Sequence, residues 1–254
     1  MTRPQAVPDG CELHAFDQIG STSEEARRLA EAGAPDRTIV WAREQTAGRG
    51  RHGREWTSPP GNLYLSILFR PSCRVAEAPQ IGFVLGVAIA GAIRDLTDVP
   101  VTLKWPNDLV HDGKKLSGIL LDSADDGKGG VAWVVAGIGV NVDVIPEALP
   151  DAASLRSIGA EVEVETLLEA FLAKLMPLLD EWRKDGFAPV RFNWSAFAFD
   201  FGTPISVKLP DGAIEGRFEG IDAAGNLAVR YDGRLHYVAA GDVFPVNHPA
   251  TGDS

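Results

Sequence analysis

Apolar positions along the chain follow two regimes. Up to about residue 200, helical spacing alternates with short β-prone runs; beyond it, only short β-prone runs remain. Ser21-Thr22-Ser23-Glu24-Glu25 offers overlapping capping boxes, Ser21 with Glu24 and Thr22 with Glu25. Ala26, Leu29 and Ala30 then share a helical face, and Gly33 supplies a stop. The spacing predicts further helices over Glu77–Leu96 and Val164–Lys184, with a shorter one near Ala188–Phe197. Strands are expected over Thr38–Arg43, Asn62–Phe69, Val101–Trp105 (stopped by Pro106), Lys115–Leu121 and Val131–Val142. The turn His111-Asp112-Gly113 makes Lys115–Leu121 the second arm of a hairpin.

After Gly202-Thr203-Pro204 the β-prone runs from Ile205 to Val246 are separated by Asp211-Gly212, Ala224-Gly225-Asn226 and Asp232-Gly233. Turns at about ten-residue spacing point to a small antiparallel barrel. The expected architecture is therefore α+β. A mixed β-sheet with packed helices occupies residues 1–201, and a small β-barrel domain occupies 202–254.

Composition narrows the function. At 254 residues and 45% hydrophobic, the chain can bury a proper core. Its net charge of −11 and lack of a long Lys/Arg run remove the footprint of a nucleic-acid binder, so a local arginine cluster carries more weight. The two cysteines, Cys11 and Cys73, have no metal-like spacing and suggest neither a disulfide framework nor a zinc site. Met1 to Gly10 lacks the apolar run of a signal peptide. The apolar stretch Ile81–Ile93 is shorter than the roughly 20 residues a bilayer takes, so the reading is a cytoplasmic protein without a membrane partner.

Three stretches carry candidate chemistry. Gly48, Gly50 and Gly53 fit G-x-G-x-x-G, but Arg54-Glu55-Trp56-Thr57-Ser58-Pro59-Pro60 cannot open the helix that a dinucleotide site needs. What remains is a loop with exposed backbone N–H groups and Arg49, Arg51 and Arg54, either a polyphosphate wrap or a solvated turn. Next, Lys104, Asn107 and Asp108 stand at a strand end, and the hairpin returns Lys115-Leu116-Ser117-Gly118 beside them. Lys115 can share their cavity, Gly118 lets a ligand lie against the backbone, and Asp108 either orients Lys115 or neighbours a metal. Lys114 reads as an ordinary surface charge. Last, Gly137 and Gly139 leave one strand face bare, for a flat ligand or for a bulge or close sheet packing.

Together, Ser21-Thr22, Gln45 to Trp56, Asn62-Leu63-Tyr64, Lys104 to Asp108, Lys115 to Leu120 and Gly139-Val140-Asn141 resemble, in order and rough spacing, the biotin–protein ligase family. That resemblance implies a class II synthetase-like sheet followed by an SH3-like barrel. It also implies a two-step reaction with ATP and biotin as substrates, Mg²⁺ as cofactor, and the biotin carboxyl carrier domain of a carboxylase as partner. Biotin's carboxylate would attack the α-phosphate of ATP, and an acceptor lysine would then attack the biotinyl adenylate.

By the same resemblance, Ser21, Thr22, Gln45, Gly48, Arg49, Arg51, Lys115 and Gly118 belong to the biotin side, with Lys115 and Arg51 as the catalytic pair. Arg51, Arg54, Trp56, Asn107, Asp108 and Asn141 belong to the ATP or adenylate side, and no metal ligand is assigned beyond Asp108 as a neighbour of Mg²⁺. Both nucleophiles come from the substrates, in keeping with the absence of an obvious Ser/His/Asp or Cys/His arrangement.

The chain departs from the family pattern in two places. Ser23 stands where the family usually has Asn, which leaves one biotin contact open, and about twenty residues precede Ser21, too few for the winged-helix DNA-binding domain of many bacterial members. Exposed β edges permit a homodimer without demanding one. A lipoate–protein ligase shares the superfamily fold and the Lys-Leu-Ser-Gly type of element, whereas the alternating arginines and Lys-Trp-Pro-Asn-Asp favour biotin. A non-catalytic biotin sensor is the remaining alternative, set against the retention of Lys115 and all three loop arginines.

Overall fold

The computed structural model describes residues 7–145, 151–209 and 212–246. Its elements run β1 (Glu12–Ile19), α1 (Thr22–Glu31), β2 (Thr38–Gln45), β3 (Leu63–Phe69), α2 (Gln80–Leu96), β4 (Thr102–Lys104), β5 (Asp108–His111), β6 (Lys114–Asp125), β7 (Val131–Val140), α3 (Val164–Asp185) and α4 (Phe187–Ser195). Strands β8 (Pro204–Leu209), β9 (Gly212–Ile221), β10 (Leu227–Tyr231), β11 (Arg234–Val238) and β12 (Asp242–Pro245) follow. Seven strands form a sheet ordered β1-β2-β3-β7-β6-β5-β4, in which only β1 and β2 pair in parallel.

Alternation along β3 decides how the sheet is covered. Leu63, Leu65, Ile67 and Phe69 join the main core under α2 and α3, while Leu68 points the other way, into a small cluster with Ala26 and Ala30 of α1. All seven residues of β3 are buried, as expected of a central strand covered on both faces. Tyr64 and Ser66 lie on the α1 face as well, Ser66 bonded to Thr22 and Ser23 in the first turn of that helix and Tyr64 donating its hydroxyl to Pro59 O.

Helix α2 is buried almost along its length, from Gln80 to Ile93. With the turn Val75–Glu77 before it, this stretch is long and apolar enough for a bilayer, yet 78% of the apolar window is buried inside the protein. It is a core helix, sandwiched between the sheet and α3. The indole N–H of Trp182 in α3 donates to Gln80 Oε1 at 2.9 Å, satisfying the polar group at the buried start of α2.

Two expectations need correction. Strand β1 was not anticipated, because an edge strand with mixed burial shows no clean alternation. The residues between Pro106 and the turn form their own strand, β5, so β4, β5 and β6 make a three-stranded meander rather than one hairpin. The turn itself is as read: Asp112 and Gly113 both take positive φ, 47° and 78°, which a two-residue I′ connection requires.

The C-terminal strands form a five-stranded antiparallel sheet ordered β11-β10-β9-β8-β12. Among the described residues β11 and β12 do not pair with each other, so the expected barrel is an open, barrel-like sheet. Of the turn read at Asp211-Gly212, Asp211 lies outside the described residues. The sheet docks through aromatic packing, Phe83 against Trp194 at 5.7 Å and Trp194 against Phe218 at 6.4 Å. The buried Trp105 indole N–H also donates to Gly225 O at 3.0 Å.

Trp105→Phe keeps most of that packing but leaves the Gly225 carbonyl without its partner. Urea unfolding should register a loss of about 1–3 kcal/mol; an unchanged midpoint would show that the docking does not depend on this bond.

Candidate functional site

The sheet register builds the floor of the cleft. Lys104 pairs with Asp108, Asp108 with Gly118, Gly118 with Gly139 and Gly139 with Tyr64, so these five stand in one row across β4, β5, β6, β7 and β3. Paired residues in a sheet share a face. The row therefore places a charged end beside a strip where two glycines leave no side chains. The neighbouring row runs Leu120, Gly137, Ser66 and Val40.

The bare strip is filled by the protein's own Trp56. A Cβ on Gly139 would come within 2.6 Å of its indole, and one on Gly118 within 3.1 Å of the same ring. The strip read as a ligand platform is thus the seat of an indole, whose outer side forms a wall of the cleft. Lys115 Nζ lies 5.4 Å from the Trp56 ring centroid, in cation–π range.

Asp108 organises the charged end. Its carboxylate receives Lys115 Nζ at 2.6 Å and Lys104 Nζ at 3.3 Å, and its side chain is only 12% exposed. Lys104 Nζ also sits 4.9 Å from the Phe244 ring centroid. One shielded carboxylate between two ammonium groups leaves a net positive corner, which suits an anionic ligand.

The arginine loop faces this corner and is not a helix opening: a single 3₁₀ turn, Arg51–Gly53, ends at an extended Arg54. Gly50 N–H donates to Arg54 O at 2.8 Å and Trp56 N–H to Gly48 O at 3.0 Å, folding the loop back on itself. Gly48 is required there, since a Cβ would collide with Trp56 O at 2.3 Å. Arg51 Nη1 donates to Asn107 Oδ1 at 3.0 Å and to Asp242 Oδ1 at 2.9 Å. Arg54 lies 3.9 Å from the same Asp242 carboxylate, and Arg49 pairs with Glu24.

At the opposite end the loop meets α1. Ser21 caps the helix by accepting the Glu24 N–H, whereas Thr22 does not make the second box expected of it. Its backbone N–H and hydroxyl both donate to Gln45 Oε1, at 2.9 and 3.0 Å, and its hydroxyl also meets Ser66 Oγ at 2.8 Å. Glu24 and Glu25 pair instead with Arg27 and Arg28.

These groups enclose one cleft of about 630 Å³. Thr22, Gln45, Arg49, Arg51, Arg54, Trp56, Asn107, Asp108, Lys115 and Gly118 all line it. Lys114, read as a surface charge, lines its rim as well. Ser21, Gly48 and Asn141 stand behind the lining: Ser21 as a cap, Gly48 as a turn, and Asn141 as a brace. The Asn141 side-chain amide donates to Ala153 O at 3.1 Å and is 1% exposed.

Three contributors were not read from the sequence. Asp242 had no local signal, since only docking of the C-terminal sheet brings it to Arg51. Phe244 is in the same position. Ser66 carried a signal that went unused, a lone hydroxyl within the apolar run Leu63–Phe69. The cysteines do not line the cleft, and burial raises both thiols above their ordinary range, against a nucleophilic role.

Two family models match the chain, the biotin/lipoate A/B protein ligase family over residues 15–141 and the biotin protein ligase C-terminal domain over residues 200–244. A biotin–[acetyl-CoA-carboxylase] ligase of Paracoccus denitrificans is 38% identical, covering 88% of this chain and 96% of its own. The corresponding ligase of Mycobacterium tuberculosis is 33% identical over 91% of this chain and 88% of its own. The biotin protein ligase of Aquifex aeolicus, solved with biotin and ATP, superposes with a TM-score of 0.79 at 28% identity, covering 92% of this chain and 99% of that one.

Gly139→Val tests the seating of Trp56. The added side chain must expel the indole, so tryptophan fluorescence should shift to the red while the overpacked sheet loses about 1–3 kcal/mol. An unchanged spectrum would contradict the placement of the ring.

Proposed function

Because the chain belongs to the biotin/lipoate A/B protein ligase family, we infer from its cleft and its relatives that it is a biotin–protein ligase. It joins biotin to ATP as biotinyl-5′-adenylate and transfers the biotinyl group to a lysine of a biotin carboxyl carrier domain. The observation that carries this reading is the single cleft in which Lys115 and Asp108 face Arg51 beneath the Trp56 wall.

In the first step a carboxylate oxygen of biotin bonds to the α-phosphorus, and the bond to the pyrophosphate leaving group breaks. In the second, the ε-amine of the acceptor lysine attacks the anhydride carbonyl, AMP leaves, and the amine gives up a proton. A carboxylate nearing a triphosphate meets like charge, worth roughly 1 kcal/mol per pair at 4 Å in water and about 4 at an effective dielectric of 20. Cations arranged beforehand reverse that sign as charge grows on the phosphate oxygens.

We assign Lys115 to the reacting carboxylate and phosphate oxygens, Arg51 to retention of the adenylate, and Trp56 to the wall beside it. Arg49, Thr22 and Gln45 fall on the biotin side, and Arg54, Asn107 and Lys104 on the nucleotide side. Each cation is already paired with a carboxylate of the chain, so binding exchanges a carboxylate for phosphate. Asp108 is a poor partner for Mg²⁺, since both its oxygens face ammonium groups and a third cation would meet two like charges. Among the described residues no cluster of three acidic, His or Cys side chains would hold an ion either. We therefore leave Mg²⁺ on the triphosphate, which is its usual way of binding beside nucleotides.

The division of labour follows the two sheets, with residues 1–201 as the substrate-binding domain and 202–254 as the domain that supplies Asp242. A cytoplasmic setting fits ATP as substrate and two free cysteines. The lipoate reading is disfavoured by the relatives' activities, and the sensor reading by the presence of Lys115 and the arginines.

Pyrophosphate release with ATP and Mg²⁺ should depend on biotin and not on lipoate. Release with lipoate alone would overturn the substrate, and biotin binding without release would favour the sensor. Lys115→Ala should lower the rate of adenylate formation by about 10²–10³-fold while leaving biotin affinity within a few-fold, the signature of an interaction made in the transition state. Equal losses in both would show that Lys115 contributes uniform binding instead.

A further inference from the structure

The helices that cover the back of the large sheet carry a groove of their own, about 730 Å³, between α2, α3 and α4. The substrate cleft opens on the other face of the sheet, the face of α1 and Tyr64. Small side chains hollow the groove out: Gly91 in α2, Ala170 and Ala173 in α3, and Ala196 at the end of α4. Gly91 lets the Lys174 stem lie close across α2, since a Cβ there would stand 3.3 Å from Lys174 Cδ.

Helices α2 and α3 run antiparallel along this groove, with Lys174 bonded to Asp95 near the end of α2 and Trp182 to Gln80 at its start. Its two ends therefore differ in charge. Arg94 stands at one end, its guanidinium 4.8 Å from the Phe197 ring centroid, and Glu181 stands beside Trp182 at the other. Lys174 and Glu181 are seven positions apart on α3, which is roughly 10 Å of helix. Glu181 has no ion-pair partner among the described residues, and Arg94 feels only its neighbour Asp95, whose carboxylate Lys174 already holds. With Asp95 and Lys174 included, the lining carries two charges of each sign. Two copies of a chain of net charge −11 can meet here without local repulsion.

Beside the groove, Phe192 has no seat in its own chain. It sits one helical turn before Ala196, on the same flank of α4. At 79% it is the most exposed large apolar side chain among the described residues. We propose that this groove is an interface between two copies of the chain, packed back to back about a two-fold axis that crosses it, with Phe192 of each copy seated in the other's groove. Such a rotation exchanges the ends, so Arg94 of one protomer meets the partner's Glu181, twice per dimer. An identical surface turned end for end carries the complement of each charge, which is why the occupant is a second copy. The β edges of both sheets take no part. Thirteen residues line the groove, against roughly 20–30 on each side of a stable interface, so the dimer is weak and dissociates in the micromolar range. Both substrate clefts face away from the contact and stay open.

The test is sedimentation velocity of the full chain over a concentration series spanning the micromolar range, which should show monomer passing to dimer. Phe192→Ala should weaken the dimer about 10–100-fold, the scale of a lost aromatic anchor. Arg94→Glu and Glu181→Arg should each weaken it about tenfold or more, because each sets two like-charge contacts in the interface. The double variant should recover most of the affinity. None of these side chains is buried, so thermal melts and biotin-dependent pyrophosphate release per chain should match the unsubstituted protein. A chain that stays monomeric throughout would overturn the proposal. So would a dimer indifferent to Phe192→Ala, or one that the double reversal fails to restore. Each of those results leaves the ligase reading intact, since that reading falls only if pyrophosphate release does not depend on biotin.

Discussion

One carboxylate, Asp108, holds Lys115 and Lys104 together at the charged end of a row whose middle is glycine. The rest of the site is arranged around that row. Because β5 and β6 pair Asp108 with Gly118, the lysines stand next to a strip of bare backbone, and because β6 and β7 pair Gly118 with Gly139, the strip is wide enough for an indole. Trp56 settles there and brings the arginine loop with it, since the loop is tied to Trp56 by the Gly48 carbonyl. A slip of one residue in the β5–β6 register would turn Asp108 away from the row and dismantle the corner.

The second dependence is between the two sheets. Docking through Trp105, Phe83 and Trp194 carries β12 to the cleft, where Asp242 meets Arg51 and Phe244 meets Lys104. An acidic chain thereby keeps its few concentrated cations paired without cancelling their charge: Arg49 with Glu24, Arg51 and Arg54 sharing Asp242, and the two lysines sharing Asp108. The arginine pairs are partly exposed, where such contacts contribute about 0–1 kcal/mol. They are weak enough for a polyphosphate to displace. The C-terminal sheet is thus part of the site's electrostatics, holding Arg51 ready at the mouth of the cleft.

Much of this was legible because local rules decided it. The Asp112-Gly113 turn is demanded by positive φ, the length and periodicity of α2 and α3 announce themselves, and the failed dinucleotide motif is betrayed by the two prolines that follow it. Strand β1 escaped because an edge strand half exposed has no strict alternation, and β5 because four residues between a proline and a turn carry too little pattern. Gly137 and Gly139 read as a bare strand face and Gly118 as room for a close approach, but nothing local to them says that Trp56 sits against Gly118 and Gly139 while Ser23 faces Gly137. Asp242 lies 191 residues from Arg51, and only the docked sheets bring it there. Ser66 stands between these cases. Its hydroxyl was visible in the sequence, but its partners Thr22 and Ser23 reach it only when α1 packs on β3.

The central claim, that this cleft makes a biotinyl adenylate and delivers it to a protein, is tested most directly by the mass of an isolated biotin carboxyl carrier domain. The domain would be incubated with biotin, ATP, Mg²⁺ and a catalytic amount of the protein. The account predicts a gain of one biotinyl group, located on a single lysine and absent when that lysine is replaced by arginine. An unmodified carrier in a reaction that nonetheless releases pyrophosphate would contradict it, leaving an adenylate-forming protein without the transfer step.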